Sequence, residues 1–179
     1  MHVMSGEFVE EVWQSVAGLD GRDAEILSTS FAKKQPALVN LILMFSEKMS
    51  QGAHELAYYL GLVIWQCYHE SSQKRLKSIS ENAVIQQHER VQQWLESMEA
   101  VDNRFLIQRI QNLADHKQPA ILQYIVEAIF ESDSEEGEDT VVLTPDEEGG
   151  LFTILKVVMD CLDQAWTQDC SKSPTGGGR

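Results

Sequence analysis

Basic side chains are scarce. Lys and Arg total 14 in 179 residues, against 28 Asp and Glu, so the formal net charge is −14 and the pI is near 4.6. A surface of that sign repels phosphate backbones and anionic headgroups, which argues against nucleic-acid binding and against a membrane-surface role. The three cysteines, Cys67, Cys161 and Cys170, are odd in number and widely spaced. Neither a disulfide framework nor a CxxC site is expected from them. No apolar run reaches membrane-spanning length: residues 36–45 are too short, and 56–68 are interrupted by Tyr58, Tyr59, Gln66 and Tyr68. Residues 1–11 carry no basic start followed by an apolar core, so no signal peptide is expected and the chain reads as cytoplasmic. Strand-type alternation is also missing, as are a GxSxG elbow and a phosphate-binding Gly loop: Gly149-Gly150 follow a helix start, and Gly176–Gly178 lie in the tail.

What the chain has is helical periodicity almost throughout, with 43% hydrophobic residues to bury. Ser5 caps a first helix with Phe8, Val9, Val12, Trp13 and Val16 inward, and Gly18 helps end it. Asp20 caps a second, with Ala24, Ile26, Leu27 and Phe31. Pro36 either opens a third helix or kinks a continuous one. From there to Phe45 the segment is apolar on nearly every side, so burial on most sides is expected. A fourth helix runs from about Ala53 to Glu70. Residues 71–78 read as a polar linker, and Ser78 with Glu81 fits a capping box for a fifth helix. Asp102 caps a sixth (Phe105, Leu106, Ile110, Leu113), Pro119 opens a seventh, and Thr144-Pro145-Asp146-Glu147 announces an eighth. Residues 170–179 are a disordered tail. The fold class is therefore all-α, about eight helices in a compact bundle over residues 1–169.

Lys34-Gln35-Pro36-Ala37 recurs as Lys117-Gln118-Pro119-Ala120. Around it, Val9, Val12, Trp13, Val16, Leu19 and Asp20 align with Val91, Trp94, Leu95, Met98, Val101 and Asp102. Gly52, Leu56, Leu60 and Ile64 align with Gly150, Ile154, Val158 and Leu162. Two related four-helix halves, 1–73 and 79–169, would account for this. A Pro-containing helix followed by a second helix resembles HEAT-type repeats in outline; no specific HEAT motif is present, and no family is assigned.

The second half then carries an acidic insertion. Residues 131–148 hold nine of the 28 acidic residues and no basic one. Within the loop 131–144, Glu131, Asp133, Glu135, Glu136, Glu138 and Asp139 form a strip suited to a basic partner, against the plainer reading of a solvated loop that keeps the bundle soluble. The EF-hand spacing fails. His54-Glu55, His69-Glu70 and His88-Glu89 lack ligands three or four residues away on the same face, so a metal or acid–base site would need separate helices to meet. Trp13, Tyr59, Trp65, Tyr68, Trp94 and Trp166 either line a pocket or fill the core. The leading expectation is a non-enzymatic interaction module, an adaptor, regulator or inhibitor of a basic protein partner, with no cofactor. The alternatives are a small-molecule binding protein with an apolar interhelical pocket, and a metal-dependent enzyme using His54, Glu55, His69 or His88.

Overall fold

The computed structural model describes residues 3–72, 76–97, 117–130 and 141–170. Among these residues the chain is all-helical: α1 (Gly6–Ala17), α2 (Gly21–Lys34), α3 (Pro36–Ser46), α4 (Gln51–Ser71), α5 (Glu81–Glu96), α6 (Pro119–Phe130) and α7 (Pro145–Cys170). The helix expected after Asp102 lies outside the described residues, as does all but Cys170 of the expected tail.

Local chemistry sets most of the helix ends. Ser5, Asp20 and Ser50 each accept a backbone N–H from three residues on, satisfying an orphan donor of the first turn. At α7 the capping box is complete. Thr144 Oγ1 accepts the Glu147 N–H, and Glu147 Oε2 accepts the Thr144 N–H at 2.9 Å. Pro36 opens α3 and does not kink a longer helix, because Gln35 leaves the helical region at φ −135°, ψ 58°.

One cap differs from the sequence reading. α5 is capped by Ser80, whose hydroxyl accepts the Ala83 N–H, and not by Ser78. The reason lies far away in the chain. Gln35 is fully buried; its Oε1 accepts the Ile79 N–H and its Nε2 donates to Lys77 O, both at 3.0 Å. These two bonds commit the backbone of 77–79 to Gln35 and postpone the helix start.

α4 and α7 form the centre. Their first turns meet where Ser50 N–H donates to Glu147 Oε1 at 2.7 Å. Their far ends meet where the Tyr68 and Trp166 rings pack edge to face, 6.1 Å between centroids. The two helices therefore run side by side in the same direction. The first turns approach closely at two glycines. A Cβ on Gly150 would lie 2.6 Å from Met49 Cε, and one on Gly52 would lie 3.0 Å from Val141 Cγ1. Around this pair, α3 packs on α4 and α7, α5 on α7 and α3, α6 on α7, and α1 on α4 and α6, with α2 against α3 and α4. The core holds Leu38, Ile42, Ile64, Trp65, Ile121, Ile125, Leu151 and Leu155, all essentially inaccessible.

α3 corrects a second expectation. Ala37, Leu38, Val39, Leu41 and Ile42 are buried, but Leu43, Met44 and Phe45 are exposed at 39%, 72% and 47%. Asn40, Leu43 and Met44, three and four residues apart, form a solvent face, while Ser46 at the end of the helix is buried.

Gln118 repeats the behaviour of Gln35. It is buried, and its Oε1 accepts the Met4 N–H at 2.9 Å. Met4 stands one residue before the Ser5 cap of α1, as Ile79 stands one residue before the Ser80 cap of α5. Each Gln-Pro start thus holds the lead-in of a helix from the other side of the molecule. Counted from these caps, Val9 corresponds to Val84 and Val16 to Val91, two turns away from the register that the apolar pattern alone suggests.

Candidate functional site

Three helices present one face each to a cleft. α1 contributes Gly6, Val9, Glu10 and Trp13, α4 contributes Leu56, Tyr59 and Leu60, and α6 contributes Ala120, Gln123, Tyr124, Glu127 and Ala128. Spacings of three and four residues on every helix put these side chains in one row. The cleft measures about 620 Å³, inside the roughly 300–1,000 Å³ typical of small-molecule sites. Its floor is apolar, with Val9 and Leu60 buried.

Three rings form its walls. Trp13 is 38% exposed, unusual for an indole, and its side chain hydrogen-bonds Tyr59. Burial raises the pKa of the Tyr59 hydroxyl, and the bond from Trp13 offsets part of that rise. The Tyr124 hydroxyl is inaccessible to solvent and lacks a hydrogen-bond partner. Burial, and then the neighbouring Tyr59 and Cys67, push its pKa up. A buried hydroxyl without a partner is costly, and it sits on a residue lining the cleft.

The cleft's charged groups are two carboxylates. Glu10 accepts from Gln14 Nε2 at 3.1 Å and Glu127 from Gln123 Nε2 at 2.7 Å. Among the described residues neither makes an ion pair, and no Lys, Arg or His lines the cleft.

Helices α5 and α3 can be counted against α1 and α6 from the same caps. Counting α5 from Ser80 as α1 from Ser5, and α3 from Gln35 as α6 from Gln118, Trp13 matches His88, Glu10 matches Ile85, Glu127 matches Met44 and Ala128 matches Phe45. The Phe45 and His88 rings touch, 4.5 Å between centroids. Phe45, still half exposed, packs its ring on His88, whereas Ala128 lines the open cleft.

A second, smaller depression of about 260 Å³ lies between α5 and α7 beside Lys117 and Gln118. Lys156 Nζ grips both oxygens of Asp160, and Gln87 Nε2 donates to Asp160 Oδ2 at 2.9 Å. Asp163 is buried, with Lys117 Nζ 3.5 Å from its Oδ2. Its Oδ1 and the hydroxyl of the fully buried Tyr68 lack hydrogen-bond partners, and both residues line this depression. Burial raises the Asp163 pKa above its ordinary 3.8, with Lys117 opposing and Asp160 adding to the rise.

The structure separates the histidines singled out in the sequence. His54 Nδ1 lies 2.7 Å from Ser46 Oγ, which itself donates to Ile42 O; the ring nitrogen must therefore be the donor to Ser46. His69 stacks on Trp65 at 4.9 Å, with Lys34 Nζ 3.1 Å from its Nε2. His88 packs on Phe45. Glu55 is exposed and accepts from Gln51. Each is held by its own neighbours, and among the described residues no three His, Cys, Asp or Glu converge in a way that could hold a metal ion. Cys67 and Cys161 are buried, and burial pushes both thiols up to about 12, with Glu70 and Asp160 respectively adding to it.

Of the six aromatic residues singled out in the sequence, Trp65, Tyr68 and Trp166 are core, Trp94 is half-buried against Phe152, and Trp13 and Tyr59 reach the cleft, where Tyr124 joins them. Tyr124, Glu10, Glu127 and Ala128 were not distinguishable in the sequence. Glu131, Asp133, Glu135, Glu136, Glu138 and Asp139 lie outside the described residues. Among the described residues no helix is long and apolar enough to cross a membrane. The chain matches no protein-family model, no curated protein and no solved structure.

Proposed function

We propose that the protein binds a small amphipathic molecule in the cleft between α1, α4 and α6. The carrying observation is the cleft itself: an apolar floor, three rings and two carboxylates around about 620 Å³. Supporting it is the contrast with α3 and α5, where Phe45 stands at the position counted to match Ala128 and packs on His88. Packing would favour filling such space with side chains, so an opening lined by Ala120 and Ala128 calls for an occupant.

The test uses the matching residue as a plug. Native mass spectrometry of freshly purified protein should show a bound small molecule, and Ala128→Phe should lose it while keeping its helical circular dichroism. A ligand retained at wild-type occupancy in Ala128→Phe would place binding elsewhere. The reading of a basic protein partner rests on net charge and on the acidic strip at 131–139, and we retain it as the second proposal on charge alone.

A further inference from the structure

We infer that the cleft selects an organic ammonium ion carried on an apolar body, such as an arylalkylamine. The inference rests on the binding role proposed above and goes on to the ligand's charge.

An apolar body follows from the floor and walls, Val9, Leu56, Leu60 and Ala128, which offer no hydrogen bonds from their side chains. The charge follows from what surrounds it. Glu10 on α1 and Glu127 on α6 stand on two walls, each held by a glutamine one turn away on its own helix and neither neutralised by a cation among the described residues. Trp13, Tyr59 and Tyr124 line the cleft, and an aromatic ring attracts a cation, and not an anion, at its face. Carboxylates and aromatic rings therefore favour the same ligand charge. The whole chain, at −14, adds a field of that sign at long range.

Helices α5 and α3, which carry the matching caps and Gln-Pro start, do without such carboxylates. At the positions matching Glu10 and Glu127 stand Ile85 and Met44, exposed at 56% and 72%. The same helix framework thus tolerates apolar groups where the cleft carries charge. A carboxylate pair kept beside an open apolar cleft, where the framework does not need it, points to a ligand that does.

Phenylbutylamine, phenylbutanol and phenylbutyrate share one apolar body and differ in charge, and they serve as probes. Titration calorimetry on the full chain at pH 7 and low salt should rank them amine, alcohol, carboxylate. The amine should bind roughly tenfold tighter than the alcohol, the sum expected of exposed ion pairs and a cation–π contact. Glu10→Gln with Glu127→Gln is isosteric and exposed; it should bring the amine down toward the alcohol and leave the alcohol unchanged. Amine and alcohol binding equally to the wild type would overturn the ligand class while leaving the cleft as a binding site. An amine preference that survives both substitutions would overturn the role of the carboxylates. Failure of all three probes to bind would overturn the cleft itself along with the inference.

Discussion

A buried glutamine is tolerable only when both ends of its amide are used, and Gln35 uses both, on Lys77 O and Ile79 N–H. Gln35→Ala leaves those two backbone groups unpartnered. It should cost about 2–3 kcal/mol of unfolding free energy, measured by urea denaturation, and Gln118→Ala should also destabilise by releasing Met4. Asp163 behaves oppositely. Its folded carboxyl holds its proton more tightly than the ordinary 3.8, chiefly through burial. Its favourable contribution is thus complete below 3.8 and disappears as pH rises through the folded value; at neutral pH the buried charge is a net burden. Asp163→Asn should therefore melt at or above the wild-type temperature at pH 7, with the advantage gone below pH 3.8. The new amide can also donate to the unpartnered Tyr68 hydroxyl. A clear loss of stability at pH 7 would show that the Lys117 pair outweighs burial.

Helix starts depend on a few residues and one carboxylate joins two of them. Glu147 closes its own capping box on Thr144 and accepts Ser50 N–H across the molecule, and these backbone bonds hold its pKa down to about 2 from 4.5. Its contribution is present above 4.5 and lost as pH falls from there through about 2. Glu147→Gln should lower the melting temperature at pH 7, and the gap from wild type should close over that acid window. A gap that persists at pH 2 would mean the side chain acts by packing. Caps of this kind were legible in the sequence at Ser5, Asp20 and Thr144 because their partners lie three residues away. Ser80 was not, because the residue that displaces the start, Gln35, is distant in the chain. The exposed side of α3 was misread for a related reason. A segment apolar on nearly every side does not show which side its neighbours leave uncovered, and that side holds Leu43 and Met44.

At the scale of the molecule, the reciprocal hold of Gln35 on the lead-in to α5 and of Gln118 on the lead-in to α1, around parallel α4 and α7, supports a proposal that the chain is two related halves that exchange contacts. The repeated Lys-Gln-Pro-Ala was visible from the start; its role was not, since nothing in four residues reveals that their glutamine is buried. The cleft was less legible still. It is built from three helices distant in the chain, α1, α4 and α6, and no one of their apolar faces shows by itself that the three leave a space between them. The acidic strip belongs to this scale too. Replacing Glu135, Glu136, Glu138 and Asp139 by Ser and Gln should leave the melting temperature unchanged or slightly higher, because like charges gain nothing from proximity, and should slow association with a basic partner at low salt. Undiminished association would leave the strip a solubilising role only.

The cleft can be addressed through its own reporter. Trp13, Trp65, Trp94 and Trp166 each give one indole N–H signal, and of the four only Trp13 lines the cleft. In a nitrogen–proton correlation spectrum titrated with phenylbutylamine, the Trp13 indole signal should move in proportion to occupancy, with the signals of Trp65, Trp94 and Trp166 staying in place. Saturable shifts at Trp94 or Trp166 with Trp13 unmoved, or no shift at any indole, would contradict a binding site between α1, α4 and α6.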